Sequence, residues 1–282
     1  MVVTKYHWSE HYSAQIGRNI GLMSLADQEK LRTTWIAIMG TGGLGGPLAE
    51  QLVRSGCERI VICDNDLFDR TNLNRQICTI EDIGKFKVDV LEDFLLKINP
   101  NLRIHKFYEV TPENISEILD KVSIACLTLD DPIASILIAR ECRTRKIPML
   151  ETWGIPYLFA WWFTSQSLEY ERCYGFTTSD LSIQQILQLN QEELKSNLKF
   201  ISQLFQLPGL KSTYNREPGM IDKMLSGQVP GRTIAPIIRL NASYLTITVI
   251  YAGILKVKEM ILAPKMVGYD YLQNKPVNVV FS

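Results

Sequence analysis

The chain has no excess of charge of either sign. Its 282 residues include 30 lysines and arginines and 30 aspartates and glutamates, so the formal net charge is zero. Proteins that bind nucleic acid or an anionic membrane through general electrostatic attraction carry a basic excess. The composition therefore makes nucleic acid an unexpected partner, and any polyanion must be held by a local cluster of cations. The chain is 46% hydrophobic and 21% charged, which is sufficient for a full core.

Paired cysteines and long hydrophobic runs are also missing. None of the six cysteines forms a CxxC pair, which disfavours a disulfide framework and a zinc site built from close-set pairs, so we predict no zinc. The first residues lack the apolar core of a signal peptide. The longest uncharged apolar run begins near Leu240 and ends before Lys256, and it is too short and polar to predict a membrane span. We expect a cytoplasmic protein without a membrane partner.

Strand-like and helix-like segments alternate through the first half of the chain. This order predicts an α/β fold with a Rossmann-like, mostly parallel sheet and helices on both faces. The predicted strands are 35–39, 59–63, 102–108 and 123–129, and the predicted helices are 43–55, 84–98, 111–121 and 132–145.

After residue 150 the pattern changes, although we still expect a single domain over 1–282. Residues 1–34 are predicted as an N-terminal helical segment and 177–232 as a helical insertion. Additional antiparallel strands are expected to extend the sheet. The remaining predictions are an aromatic strand over 157–164, a helical pattern over 234–262 and two short strands within 267–281.

A glycine-rich turn follows the first predicted strand and opens a helix. It reads Gly40-Thr41-Gly42-Gly43-Leu44-Gly45 and matches G-x-G-x-x-G in the structural context which that motif requires. Such a turn brings backbone amides and the positive end of a helix close to a phosphate. Asp64 and Asp66 follow the second strand, where a carboxylate can accept hydrogen bonds from ribose hydroxyls. This pattern predicts a nucleotide site but does not separate NAD from ATP.

The segments that follow favour ATP. Arg75, next to Gln76, offers a guanidinium fork to phosphate oxygens, and Lys87 offers a point charge. A dinucleotide already held by the glycine turn does not need these cations, whereas a triphosphate that loses pyrophosphate does. Asp130 ends the fourth strand, where a carboxylate suits Mg²⁺ bridging phosphates. Each residue alone is most often a surface charge or a cap, and only their joint occurrence carries the prediction.

These motifs together resemble the ThiF/MoeB/HesA adenylyltransferases, which share their adenylation domain with ubiquitin-activating enzymes. The strings that carry the resemblance are Gly40–Gly45, Asp64–Asp66, Asn72–Gln76, Gly84–Val88, Leu129–Asp131, Ile147-Pro148 with Gly154, and Ala235-Pro236. The resemblance implies MgATP-dependent adenylation of a carboxylate, with release of pyrophosphate. It also implies that Asp64 holds the ribose, that Asn72, Arg75 and Lys87 hold phosphates, and that Asp130 holds Mg²⁺. A homodimer and a ubiquitin-like carrier or peptide substrate are implied as well.

The sequence departs from that family's pattern in three places. Two arginines common near the N-terminus, one of which reaches the neighbouring protomer's ATP site, are absent, and Arg18 is the candidate substitute if its segment is helical. The arginine usual shortly after Asp130 is replaced by Ser135. Many relatives carry two CxxC pairs that bind zinc, and here Cys173 is the one cysteine retained where the first pair is expected. Cys173 is also the best-placed candidate to accept an acyl group, as a cysteine does in some relatives, but no neighbouring base or helix N-terminus is evident to activate its thiol, so we favour an inert cysteine.

Three functions remain open from the sequence. The first is adenylation of the C-terminus of a ubiquitin-like sulfur carrier or of a peptide. The second keeps the same activation but acts on a modified nucleoside in tRNA, as a cyclodehydratase. The third is a nucleotide-binding, non-catalytic subunit of a heteromeric activating complex. An NAD-dependent dehydrogenase ranks last, because it leaves the cations unexplained.

Overall fold

The protein is described by a computed structural model that covers residues 6–190, 194, 203–207 and 209–281. Its main element is a six-stranded sheet. The strands of this sheet are β1 (Ile36–Met39), β2 (Arg59–Cys63), β3 (Arg103–Phe107), β4 (Ile124–Leu127), β5 (Met149–Glu151) and β7 (Trp161–Phe163). Their order across the sheet is β3-β2-β1-β4-β5-β7. The first five strands along the chain are parallel, and β7 runs antiparallel to β5.

Helices cover both faces of this sheet, as the alternating pattern predicts. One face packs against α3 (Gly45–Arg54), α4 (Lys87–Ile98) and a helix near the C-terminus. The other face packs against α5 (Ile115–Ile118) and α6 (Pro132–Arg145). The central strands β1 and β4 are fully buried, as expected for a parallel sheet covered on both sides. The predicted fold class is confirmed.

The aromatic run is not one strand, so the prediction for 157–164 is wrong. The chain forms β6 (Tyr157–Phe159), passes Ala160, and then forms β7, and these two strands belong to different sheets. The strand β6 pairs with β8 (Lys265–Asp270), which in turn pairs with β9 (Lys275–Val280). Hydrophobicity is the same along the run, so composition carries no signal for this change of sheet.

The C-terminal helix is shorter than its predicted pattern. It covers Ala235–Thr248 and continues as a π-helix over Val249–Ile254, so the prediction of helix as far as 262 is wrong. The chain leaves the helix at Lys256, whose φ of 60° is left-handed. The helical segment Ala235–Ile254 is long enough to span a membrane, and an 18-residue stretch of it has a mean hydropathy of 1.4. In the fold, however, 61% of that stretch is buried. That burial is typical of a core helix.

The predicted C-terminal strands are β8 and β9, which form a hairpin around Asn274. The N-terminal helical segment contains α1 (Glu10–Ile16) and α2 (Leu25–Thr33). The predicted insertion contains short helices at Ile183–Ile186, Leu210–Tyr214 and Met220–Leu225. Residues 191–193, 195–202 and 208 of this insertion lie outside the described part of the chain.

Candidate nucleotide site

The glycine turn joins β1 to α3 in a conformation that requires glycine at two positions. Gly40 has a φ of +101°, and a Cβ there would lie 2.6 Å from the carbonyl carbon of Thr128. A Cβ on Gly45 would lie 1.8 Å from the carbonyl oxygen of Gly40. The side chain of Leu44 makes no capping hydrogen bond to α3. The first turn of this helix is therefore suited to an anionic ligand.

Asp64, directly after β2, holds the glycine turn from one side. Its Oδ2 accepts hydrogen bonds from the amide of Thr41 at 2.6 Å and from the Thr41 hydroxyl at 3.2 Å, and its Oδ1 accepts from the amide of Asp66 at 2.9 Å. Burial raises the pKa of this carboxyl group, while Lys87 and the amides oppose the rise. Asp64 is thus an anchor of the turn. Oδ2 already accepts two hydrogen bonds, whereas Oδ1 accepts one and has room for a second, so ribose binding through Oδ1 stays a prediction.

Arg75 and Gln76 lie close to two other glycines of the turn. The Cγ and Cδ atoms of Arg75 are 3.7 Å from a Cβ built on Gly43, and the side-chain amide of Gln76 is 3.7 Å from a Cβ built on Gly42. The Nη1 of Arg75 donates to the Oδ1 of Asn74 at 2.7 Å. Gln76 is only 8% exposed, and its Oε1 has no hydrogen-bond partner within the described ranges. A buried polar atom beside a phosphate-type turn is consistent with a polar ligand there.

Asn72 has a structural partner within its own segment. It ends a short 3-10 helix over Arg70–Asn72, and its Oδ1 accepts a hydrogen bond from the amide of Asp69 at 3.1 Å. The carboxylate of Asp69 caps the amide of Thr71 in return. Asn72 is 9% exposed. The predicted contact of Asn72 with phosphate stays a prediction.

Lys87, the first residue of α4, reaches back towards the end of β2. Its Nζ lies 2.6 Å from the Oδ2 of Asp66, and its side chain is only 8% exposed. Burial raises the pKa of the nearby Asp64, and the charge of this ammonium opposes that rise. Lys87 is thereby connected through Asp66 and Asp64 to Thr41 of the glycine turn.

Asp130 lies just beyond β4, directly after two residues that approach the glycine turn. The backbone of Thr128 and Leu129 approaches Gly40, and the Thr128 hydroxyl donates to the Gly40 carbonyl at 2.6 Å. Asp130 is exposed. The neighbouring Asp131 has a different role, because its Oδ1 caps α6 by accepting from the amides of Ile133 and Ala134.

The donor set fits Mg²⁺ better than a metal that needs a complete protein cage. Within the described ranges, no group of three or more His, Cys, Asp or Glu side chains is placed to hold a metal ion. Mg²⁺ usually takes one or two carboxylates together with phosphates and water, so the exposed Asp130 is a suitable ligand. The predicted absence of zinc stays a prediction.

The structure adds contacts that the sequence does not show for the loop Trp153–Ile155 between β5 and β6, which contains the motif residue Gly154. The Nδ2 of the fully buried Asn241 donates to the carbonyls of Trp153 and Ile155, at 3.0 and 2.6 Å. Ile238 touches both sides, because its side chain is 3.6 Å from a Cβ built on Gly43 and 2.6 Å from one built on Gly154. The start of the C-terminal helix therefore joins this loop to the glycine turn. The string Ala235-Pro236 marks that start, but nothing in the sequence shows what it touches.

The buried end of β5 supports the same loop. The hydroxyl of Tyr174 donates to the carboxyl group of Glu151, and the Nε1 of Trp153 donates to the Tyr174 hydroxyl at 3.0 Å. Burial raises the pKa of Glu151 to about 8. Glu151 is thus a buried acid that the sequence did not single out.

Three positions at which the sequence differs from the family pattern, Cys173, Arg18 and Ser135, show no contacts within the described part of the chain that indicate a role in the site. Cys173 is 8% exposed in the helix Tyr170–Tyr174, and burial raises the pKa of its thiol, which favours the inert cysteine. Arg18 is exposed and lies beyond the end of α1 at Ile16, so the helical condition for its role is not met. Ser135 is buried and donates to the carbonyl of Asp131.

Comparison with known proteins identifies the class. A family model described as "ThiF family" matches residues 12–277. The chain therefore belongs to the ThiF family. The resemblance inferred from the motifs is confirmed.

Particular relatives match only part of the chain. A tRNA threonylcarbamoyladenosine dehydratase from Bacillus subtilis is 32% identical over 145 residues, which are 50% of this chain and 56% of that protein. A ubiquitin-like modifier-activating enzyme 5 from Gallus gallus is 33% identical over 113 residues, 39% of this chain and 28% of that protein. The match covers less than two thirds of each of these curated relatives.

Solved structures match the chain over most of its length. The crystal structure of PaaA covers 100% of this chain and 77% of its own, with a TM-score of 0.67 and 20% identity. Escherichia coli MccB, crystallised with an MccA derivative, covers 91% of this chain and 67% of its own, with a TM-score of 0.62 and 20% identity. At this identity the similarity establishes the fold alone.

Proposed function

We propose that this protein uses MgATP to adenylate a carboxylate, giving an acyl adenylate and pyrophosphate. The observation that carries the proposal is the convergence of three groups on one glycine turn. Arg75 packs on Gly43, Lys87 is linked to Thr41 through two aspartates, and Asp130 follows the strand end that touches Gly40. Two cations and an exposed carboxylate at one turn suit a triphosphate with its metal ion better than a dinucleotide.

In the proposed reaction a carboxylate oxygen of the substrate attacks the α-phosphorus of ATP. One P–O bond forms, the bond from the α-phosphorus to the bridging oxygen breaks, and pyrophosphate leaves with that electron pair. The carboxylate is already ionised at neutral pH, so this step needs no side-chain base. Catalysis then rests on positioning and on stabilisation of charge.

Residues of this chain supply those two contributions. The glycine turn and the start of α3 receive phosphate oxygens through backbone amides. The half-buried Arg75 and the buried Lys87 stabilise the charge that develops on the leaving pyrophosphate. Asp130 would hold Mg²⁺, which supplies further neutralisation of phosphate charge. The predicted ribose contact falls to Asp64.

The acyl substrate is proposed to be the C-terminus of a ubiquitin-like carrier protein or of a peptide. Two observations support this choice. Curated relatives include ubiquitin-like modifier-activating enzymes and an adenylyltransferase and sulfurtransferase UBA4. The zero net charge of the chain also disfavours a large polyanion as the partner. A homodimer and a cytoplasmic location belong to the same proposal.

A tRNA-modifying dehydratase is the second candidate. It is favoured by the Bacillus relative, which carries that name and aligns with half of this chain. A filter-binding assay separates the candidates, because tight, salt-sensitive association with tRNA supports this second one. Weak binding, independent of salt, supports a protein or peptide substrate.

ATP–pyrophosphate exchange tests the proposal. Exchange is expected once a purified ubiquitin-like protein or a synthetic peptide with a free C-terminus is supplied, and it should be lost in Asp130→Ala and Arg75→Ala. Arg70→Ala is the matched control, because Arg70 is exposed on the same segment as Arg75 and its change should leave exchange intact. Acceptor-dependent exchange that persists unchanged in both site variants contradicts the proposal. Exchange that needs a further polypeptide in addition to the carboxylate acceptor would indicate the non-catalytic subunit.

A further inference from the structure

Asp66 and Lys87 form a close ion pair at the site, and the proposed chemistry assigns a role to Lys87 but none to the Asp66 carboxylate. The two side chains meet at 2.6 Å, and their exposures differ greatly, at 57% for Asp66 and 8% for Lys87. A buried ammonium without a counter-charge is unfavourable. Asp66 therefore determines where the charge of Lys87 lies before any nucleotide arrives.

The backbone reinforces this arrangement. The amide of Lys87 donates to the carbonyl of Asp66 at 3.0 Å, and the amide of Asp66 donates to the Oδ1 of Asp64 at 2.9 Å. A bridge between Leu67 and Phe86 continues the contact between the two segments. Asp66 thus joins the end of β2 to the start of α4 through its side chain and its main chain.

Asp64 is a second carboxylate on which the charge of Lys87 acts, and its position explains why Asp66 matters. Both oxygens of Asp64 already accept backbone amides, those of Thr41 and Asp66. If Asp66 lost its charge, Asp64 would be the acid that remains near the Lys87 ammonium. A shift of the ammonium towards Asp64 would draw it to the anchor of the glycine turn.

We propose that Asp66 is a positioning residue that holds the Lys87 ammonium at the edge of the glycine turn, ready for the triphosphate, and that it is not a ribose ligand. The inference rests on the proposed function, because it assigns Lys87 to the phosphates of ATP. It separates the two aspartates that follow β2. Asp64 anchors the turn, and Asp66 acts only through Lys87.

A double-mutant cycle with two nucleotides tests this assignment. The binding of MgATP and of AMP is measured by calorimetry for the natural chain, Asp66→Asn, Lys87→Met and the double variant. In the natural chain, Asp66→Asn should weaken MgATP binding by about fivefold, because Lys87 loses its place. In the Lys87→Met chain, the same change should tighten MgATP binding by about threefold, because Asp66 is then an unpaired carboxylate beside the phosphates.

The expected result for AMP is different, since it lacks the phosphates that Lys87 contacts. Asp66→Asn should change the affinity for AMP by less than about twofold, both in the natural chain and in the Lys87→Met chain. Asp93→Asn is the control, because it removes the same charge from an exposed position on α4 and should change neither affinity. Thermal unfolding midpoints of all variants show whether each is folded.

Two results overturn the inference while leaving the proposed function intact. In the first, Asp66→Asn weakens the binding of MgATP and of AMP equally, and by the same factor in the natural chain and in the Lys87→Met chain. That result would make Asp66 a ribose ligand. Asp66→Asn without effect on MgATP in either background would leave the ion pair without a role in binding. A natural chain that binds no MgATP contradicts the proposed function itself, so the two failures are distinguishable.

Discussion

Thr41 and Asp64 connect the glycine turn to the second strand, because the Asp64 carboxylate accepts both the amide and the hydroxyl of Thr41. The turn is therefore held by side-chain hydrogen bonds as well as by its own backbone. Asp64 therefore stabilises the glycine turn whether or not it also binds a nucleotide.

Asp64→Asn should lower stability and weaken nucleotide binding together. An asparagine has one acceptor and one donor group, so one of the two amides now held by Asp64 would face an NH₂ group. The loss of a satisfied buried amide costs about 1–3 kcal/mol. Urea denaturation measures the change in stability, and calorimetry with MgATP measures binding. An Asp64→Asn protein as stable as Asp93→Asn would contradict the anchoring role.

Gly45→Ala should disrupt the turn far more than Gly84→Ala. The new Cβ at position 45 would meet the Gly40 carbonyl, which is already fixed by the Thr128 hydroxyl, and we expect a loss of about 4 kcal/mol or more. Gly84 has a φ of +85° but open space around it, so alanine there should cost only about 1–2 kcal/mol. Denaturation midpoints of the two variants check this order, and equal losses would show that the turn tolerates a side chain.

Glu151→Gln should change how stability depends on pH. Burial raises the pKa of Glu151 from 4.5 to about 8 in the folded protein, so the unfolded chain releases this proton at lower pH than the folded one. The stability that the protonated acid contributes is complete below pH 4.5 and is lost as pH rises towards 8. A tenfold difference in proton affinity between the folded and unfolded chains corresponds to about 1.4 kcal/mol of stability.

Urea denaturation of both proteins between pH 5 and 8 measures this effect. The free energy of unfolding of the natural protein should fall with rising pH relative to that of Glu151→Gln. Parallel curves for the two proteins would mean that Glu151 is already ionised in the fold.

Much of the fold follows from local sequence patterns. The strands β1, β2 and β4 are short runs of apolar and often β-branched residues, and a parallel sheet covered on both faces needs such runs. The residues of the site follow from the same logic, because strand ends at one edge bring Gly40, Asp64 and Asp130 together. Patterns of this kind depend only on residues close together in the sequence, so they can be recognised without the structure.

The remaining features depend on contacts between distant segments. The change of sheet at Ala160 is set by pairing with β8, more than 100 residues later. Asn241 and Ile238 reach the site from the C-terminal helix, and no spacing in the sequence indicates this. The pairing of Asp66 with Lys87 is likewise visible only in the fold.

Calorimetric titration of the natural chain and of Arg75→Ala, with MgATP and separately with NAD, tests the central claim most directly. The account predicts that MgATP binds to the natural chain, that NAD does not bind measurably, and that Arg75→Ala weakens MgATP binding by about tenfold or more, because a charge-assisted contact to phosphate is lost. Binding of NAD in place of MgATP, or MgATP binding that is unchanged in Arg75→Ala, would contradict it.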